Sequence, residues 1–290
     1  AMKKWAKNTQ RNHIIVEHND DSGSVDEQAY IKKLTSDVRV VSVVHTSPVT
    51  GMTVDLEKIT KEVRNVTPDC IIIVDGIQHS SHGAIDVQKY DIDGYVVSPY
   101  KMFSRHGYGV AWASDRLCTL NKEQLADGPF QNWELGTRDA GSYATFSDVV
   151  DYLDWLGSNF TESENTRERL EASSIAIKSH EQELVDLVIN GAEDIVGLRN
   201  NKKIRIIGNP ASTSREGVVS FFHKNKPSSI IVEELRQRKI RVHIRKDDHY
   251  CGNILRPLNQ KDCIRFSICH YNSKAEVVEF MKAINEISTN

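Results

Sequence analysis

Long apolar runs are missing from this chain of 290 residues; none approaches the ~20 residues that a membrane span needs. An excess of one charge is missing too. There are 37 Lys+Arg against 40 Asp+Glu, a formal net charge of -3, which argues against a nucleic-acid binder working by bulk electrostatics. Cysteine is scarce: Cys70, Cys118, Cys251, Cys263 and Cys269 form no CxxC pair and are odd in number. That pattern favours reduced thiols in a cytoplasmic protein over a disulfide frame or a zinc site. Cys70, inside an apolar run, reads as a small buried hydrophobe. No internal repeat or low-complexity tract stands out. With 39% hydrophobic and 27% charged residues, the composition excludes disorder, collagen and disulfide-dense scaffolds. The start, Ala1-Met2-Lys3-Lys4-Trp5, has no signal-peptide apolar core and reads as an added or cut end.

What is there reads as an α/β chain of about two domains. His13–Val16 is a short apolar run. Asp26–Leu34 has a helical pattern, with the polar Asp20-Asp21-Ser22-Gly23-Ser24 stretch expected to cap it. Val38–His45 is rich in β-branched residues. Asp55–Asn65 places Leu56, Ile59 and Val63 on one helical face. Cys70–Val74, Gly94–Val97 and Tyr108–Ala113 are further apolar runs. Runs without polar alternation predict strands buried on both faces, hence a mostly parallel sheet under helices. Ser142–Leu156 and Thr166–Asn190 read as long helices. Beyond Gly191, strands are expected at Ile204–Gly208, Val218–Phe222, Arg241–Ile244 and Ile264–Cys269, with helices at Ser228–Arg238 and Lys274–Ile287. We therefore expect a large domain over residues 1–165 and a small C-terminal α+β domain, with its linking helix, over residues 166–290.

Ligands of parallel sheets bind beyond the carboxyl ends of the strands. The polar residues there are His45-Thr46-Ser47, Asp75-Gly76 and Ser98-Pro99-Tyr100-Lys101. Asp75 and Lys101 follow neighbouring strands, ~4.8 Å apart, and so converge. Two readings fit. One is a salt bridge at the sheet rim. The other is a pyridoxal phosphate site, where the lysine forms a Schiff base and the carboxylate keeps the pyridine nitrogen protonated. His79 and His82 lack a third ligand at metal-site spacing, so no metal is expected. No GxGxxG follows a strand, and Gly107-Tyr108-Gly109 precedes one, so a nucleotide-binding Rossmann enzyme is disfavoured.

The residues Val44-His45-Thr46-Ser47-Pro48-Val49-Thr50-Gly51, Val74-Asp75-Gly76-Ile77-Gln78, His82, Ile85-Asp86-Val87 and Asp93-Gly94-Tyr95-Val96-Val97-Ser98-Pro99-Tyr100-Lys101 form an ordered series. Glu134-Leu135-Gly136-Thr137, Arg215-Glu216-Gly217, Ile264-Arg265-Phe266-Ser267 and His270-Tyr271-Asn272 continue it. In this order and spacing the chain resembles the class V aminotransferase family of fold-type I pyridoxal phosphate enzymes, which includes the cysteine desulfurases. The resemblance covers almost the whole chain. It implies the fold-type I architecture and pyridoxal 5'-phosphate as cofactor. It also implies Lys101 as Schiff-base lysine and base, Asp75 as pyridinium partner and Gln78 as contact to the ring oxygen. Ser98 and Tyr100 would contact phosphate, and Thr137 would reach the phosphate of a neighbouring subunit in a homodimer with a shared active site. Arg265 would grip the substrate carboxylate, a task suited to a planar guanidinium. His79 would lie near the cofactor, and His45 near the substrate.

The chain departs from the family in several places. Tyr100 stands where His usually precedes the lysine. Pro48 stands where the family has Asn. Upstream of Val41 there is no Gly/Ser/Thr-rich phosphate loop. The family's N-terminal segment, expected to supply two sheet strands, one of them between two strands that remain, would precede this chain. Asp247-Asp248-His249-Tyr250-Cys251-Gly252 resembles the loop that holds the desulfurases' nucleophilic cysteine, with His249 placed to lower the Cys251 thiol. It equally resembles a branch without that cysteine. The expected activity is a cysteine desulfurase-like C–S lyase. Class V transamination, amino-acid epimerisation and a truncated non-catalytic scaffold of the same fold are the alternatives.

Overall fold

A computed structural model describes residues 2–21, 23–129, 131–137, 139–192, 194–211 and 213–289. Ala1 of the chain start and Ser22 of the polar stretch lie outside the described residues. The first elements are helices α1 (Met2–Asn8) and α2 (Glu27–Ile31). Asp26 caps α2, its side chain accepting from the Ala29 N–H. The Asp20–Ser24 stretch therefore does not serve as the cap. His13–Val16 forms no strand.

The β-branched runs become β1 (Val40–Val44), β2 (Ile71–Asp75), β3 (Gly94–Val97) and β4 (Val110–Ala113). They form one sheet in the order β1-β2-β3-β4. The first three are parallel, and β4 runs antiparallel to β3. No gap is left for a strand between them, which corrects the expectation that one is missing there. The connection from β1 to β2 carries helix α3 (Leu56–Val66), capped by Asp55, and is long enough to set the two strands side by side. Leu56, Ile59 and Val63 of α3 pack with Val41, Val43, Ile72 and Val74 in one core. The other face of the sheet is only partly covered: Val44 is 48% exposed. Continuous apolar runs here mark strands buried on one face, not on both.

A buried carboxylate locks the far end of this sheet. Asp93 is fully buried and accepts from the Ile72 N–H, the Ser114 hydroxyl and the guanidinium groups of Arg64 and Arg116. A charge buried this way needs every one of those partners.

Beyond β4 lie helices α4 (Asp115–Cys118), α5 (Ala140–Gly157) and α6 (Thr166–Asn190). A Cβ on Gly157 would collide with the backbone of Arg169, so glycine lets α5 meet α6 closely. Then come a two-residue hairpin, β5 (Gly191–Ala192) and β6 (Ile195–Val196), and the strands β7 (Ile204–Ile207) and β8 (Val218–His223). Helix α7 (Ser228–Gln237), strand β9 (His243–Lys246), helix α8 (Gly252–Leu255), strand β10 (Asp262–Ser267) and helix α9 (Lys274–Thr289) complete the chain. The second sheet has the order β7-β8-β10-β9 and is antiparallel throughout. Leu184 and Val188 of α6, Ile231 of α7 and Phe280 and Ile284 of α9 cover it, against Val219, Phe221 and Ile264.

Arg215 joins the two sheets. It is buried and donates to the carbonyls of Thr50, Ile207 and Val218. Backbone bonds from Thr53 N–H to Ser214 C=O and from Glu216 N–H to Gly51 C=O run alongside.

Candidate active site

The carboxyl ends of β1, β2 and β3 meet at one place, and the strand register sets what stands there. Val44 pairs with Asp75, and Asp75 pairs with Val96. The chain leaving β2 turns sharply at Gly76. A Cβ on Gly76 would overlap the Tyr95 ring, so this glycine lets the backbone cross beside β3. Asp75 Oδ1 accepts from the Ile77 N–H at 3.1 Å; its other oxygen takes no hydrogen bond from the described residues. A single 3₁₀ turn (His79–Ser81) follows. It places Gln78, His79 and His82 inward, all buried.

A second 3₁₀ turn, Pro99–Met102, follows β3. The Lys101 N–H donates to the Ser98 carbonyl at 2.9 Å. The turn directs the side chain back, so that Lys101 Nζ donates to Gln78 Oε1 at 2.8 Å. Burial, and then the Arg265 charge, push Lys101 down to about 8, against an opposing pull from Asp75. An amine held there has a substantial neutral fraction near physiological pH, as a nucleophile or base requires.

Gln78 continues inward. Its Nε2 donates to His82 Nε2 at 3.0 Å, and His82 Nδ1 donates to Glu181 Oε2 at 2.7 Å. His79 stands beside this row. Its Nδ1 lies 2.5 Å from Glu216 Oε1 and its Nε2 3.1 Å from the Ala84 carbonyl oxygen. The His79 ring stacks on His45 with centroids 3.7 Å apart. His45 Nδ1 bonds the Tyr95 hydroxyl at 2.9 Å. Burial, and then the charge of His79, push His45 down to about 2. His45 is thus a neutral ring.

The second sheet contributes Arg265. Its Nη1 donates to the Pro48 carbonyl at 3.1 Å. Arg245 stands one strand over, on the same sheet face, because Arg265 pairs with His243 and Cys263 with Arg245. The Nε atoms of both arginines are buried and without a partner among the described residues. Arg265 and Arg245 lie close enough to lower the proton affinity of Lys101, and Arg245 that of Arg265. Ser98 is half-buried, and its hydroxyl makes no hydrogen bond among the described residues. Tyr100 is exposed and stacks on His106 at 4.4 Å.

Two candidates stand apart from this group. Thr137 is exposed on an irregular segment and makes no side-chain contact with Lys101 or Gln78. Cys251 is buried and packs with Val49, Ile207, Phe222 and Cys263. Burial raises its thiol, against an opposing pull from Arg245. His249 does not lower it: the His249 ring packs on Tyr250 at 4.0 Å. A cleft of about 1030 Å³ opens beside β1, with Asp75, Val44, Pro48 and Tyr250 on its wall.

The sequence pattern points to no role for Glu181 or Arg245, and marks Glu216 only as part of the Arg215-Glu216-Gly217 motif. Glu181 had a signal: it sits among Ile177, Leu184, Val185 and Val188 on the buried stripe of α6, where a lone carboxylate needs a partner. Among the described residues no cluster of His, Cys, Asp or Glu has the geometry of a metal site, and no helix is long and apolar enough to cross a membrane.

Residues 2–280 match the family described as aminotransferase class-V. The chain belongs to that family. Family members use pyridoxal 5'-phosphate. A probable cysteine desulfurase of Pseudomonas putida is 22% identical over 289 residues, covering 94% of this chain and 65% of the relative. A cysteine desulfurase of Synechococcus elongatus is 27% identical, covering 93% of this chain and 41% of the relative. The chain thus spans less than two thirds of the length of these class-V relatives. The structure of a cysteine desulfurase from Thermococcus onnurineus superposes with a TM-score of 0.79 at 20% identity, over 99% of this chain and 68% of that one. This likeness shows the class-V fold, fold type I.

The residues present fit the family's cofactor. A depressed amine, a carboxylate oxygen without a donor among the described residues and two guanidinium N–H groups without a partner there lie near one another. That set suits an aldehyde, a ring nitrogen and an anion.

Proposed function

We propose that this chain carries the reactive half of a pyridoxal 5'-phosphate enzyme acting on an amino acid, with a cysteine desulfurase-like C–S lyase as the favoured activity. The observation that carries the reading is Lys101, depressed and bonded to Gln78, beside Asp75 at the carboxyl ends of two adjacent parallel strands. When bound, the cofactor supplies an aldehyde and a ring that accepts the electron pair freed at a substrate Cα.

The chain's own groups divide the remaining work. Lys101 Nζ presents a neutral amine and afterwards a base at the substrate Cα. Asp75, through its oxygen without a donor among the described residues, would hold the cofactor's ring nitrogen protonated. Gln78 would offer its second amide N–H to the ring oxygen. Ser98 and Tyr100 offer hydroxyl donors to phosphate. Arg265 takes the substrate carboxylate through its unpaired N–H. His45 and His79 present stacked rings at the substrate side. Thr137, exposed, is available to a second subunit of a homodimer. Five free thiols suit a reducing compartment such as the cytoplasm.

Cys251 is not assigned as the nucleophile, because it is buried and its thiol is raised. The test is turnover of cysteine by the chain supplied with pyridoxal 5'-phosphate, with Lys101→Ala as the blank. Alanine and sulfide support the favoured reading. Keto-acid formation or loss of stereochemistry supports transamination or epimerisation. No product from any amino acid leaves the fold as a non-catalytic scaffold.

A further inference from the structure

Lys101 is the first member of a buried row that leaves the sheet and ends in the second half of the chain. The row runs Lys101 Nζ to Gln78 Oε1 at 2.8 Å, Gln78 Nε2 to His82 Nε2 at 3.0 Å, and His82 Nδ1 to Glu181 Oε2 at 2.7 Å. His82 is 4% exposed, Glu181 2% and Gln78 9%. Gly217 presses on the row's end: a Cβ there would lie 2.9 Å from Glu181 Oε2 and 3.2 Å from His82 Cε1.

An amide has one donating and one accepting end. With its oxygen toward the Lys101 ammonium, Gln78 must give an N–H to His82 Nε2, which then has to be bare. Turned over, the amide gives its N–H to a neutral Lys101 amine and accepts from a protonated His82 Nε2. A neutral amine with a bare Nε2 is matched as well, since the amine can still donate; the one combination the amide cannot bridge is a Lys101 ammonium together with a protonated His82 Nε2. Leaving one of these buried groups unmatched is costly.

We infer that His82 and Glu181 are positioning residues that act through Gln78, whose amide couples the proton on Lys101 to the proton on His82. While Lys101 keeps its extra proton, His82 Nε2 cannot take one; once Lys101 loses it the amide can turn and His82 can, each proton exchanged with solvent and none moved by the amide. The row thus holds the extra positive charge at the reacting amine or beside the Glu181 carboxylate, not at both. The charged groups around the row agree with this. His82 faces Glu181 and Glu216, with Lys101 at the other side. Lys101 faces Asp75 on β2, Arg265 on β10 and Arg245 on β9. Burial works to lower the His82 ring, and Glu181 more than reverses it. His82 is therefore drawn to a second proton that Gln78, as it stands, denies it.

The inference rests on Lys101 as the reacting amine, but its test needs no cofactor. Histidine-selective ¹⁵N NMR of the cofactor-free chain reads the protonation of His82 Nε2, with its signal assigned by His82→Gln. In the wild type, Nε2 should be bare at neutral pH, while Lys101 is charged. In Lys101→Met, both ring nitrogens should be protonated at neutral pH. In Lys101→Arg, which keeps a cation, Nε2 should stay bare. A His82 signal that is the same in wild type, Lys101→Met and Lys101→Arg would overturn the coupling. A chain that couples His82 to Lys101 yet takes no cofactor would sink the proposed function and leave this inference standing.

Discussion

His45 and His79, both buried, stack with centroids 3.7 Å apart, His45 bonded to the Tyr95 hydroxyl and His79 to Glu216. Burial holds His45 at about 2 in the folded chain, whereas in the unfolded chain it protonates near the usual histidine value. Below that value the unfolded state binds the extra proton and the folded state does not. Stability therefore falls as pH drops, by about 2 kcal/mol near pH 5 from this ring alone. Urea midpoints of His45→Gln between neutral pH and pH 5 should show a slope smaller by that amount. An unchanged slope would show that His45 takes its proton in the folded chain.

Asp93 predicts a different kind of loss. Its carboxylate ties β2, α3, α4 and the start of β3 through four donors. Asp93→Ala strips buried donors of their acceptor and should cost about 3 kcal/mol, read as a lowered urea midpoint. Asp93→Asn keeps part of the set and should lose less. If Asp93→Ala were as stable as the wild type, the buried network would have no role in holding the sheet.

These two residues also show what the sequence reveals and what it hides. The turn chemistry and the β-branched runs set the strands within a few residues: Gly94–Val97 and Thr166–Asn190 fall where the sequence places them. Asp75, Gln78 and Lys101 meet because each follows a strand end, which is a local property of the chain. Asp93, Glu181 and Glu216 take their partners from positions 21 to 137 residues away. Nothing local announces such pairs, apart from a charged residue on an apolar stripe. Cys251 misleads for the same reason. Its neighbours in sequence suggest an open loop, while Phe222 and Val49 from elsewhere bury it.

Thiol labelling separates these cysteines. Cys70, Cys251 and Cys263 are buried, and burial raises all three thiols. Cys269 is half-buried and also raised, to about 11. Cys118 is half-buried on α4. Alkylation of the native chain followed by peptide mapping should modify Cys118 first, with Cys251 among the last. Early labelling of Cys251 would return it to the list of nucleophiles.

The central claim is that Lys101 is the amine that receives pyridoxal 5'-phosphate. The folded chain is mixed with the cofactor, reduced with borohydride and digested. Visible absorbance is expected before reduction, then a single pyridoxyl group fixed on Lys101 and lost in Lys101→Ala. A folded chain with no fixed cofactor, or with the group on another lysine, would contradict it.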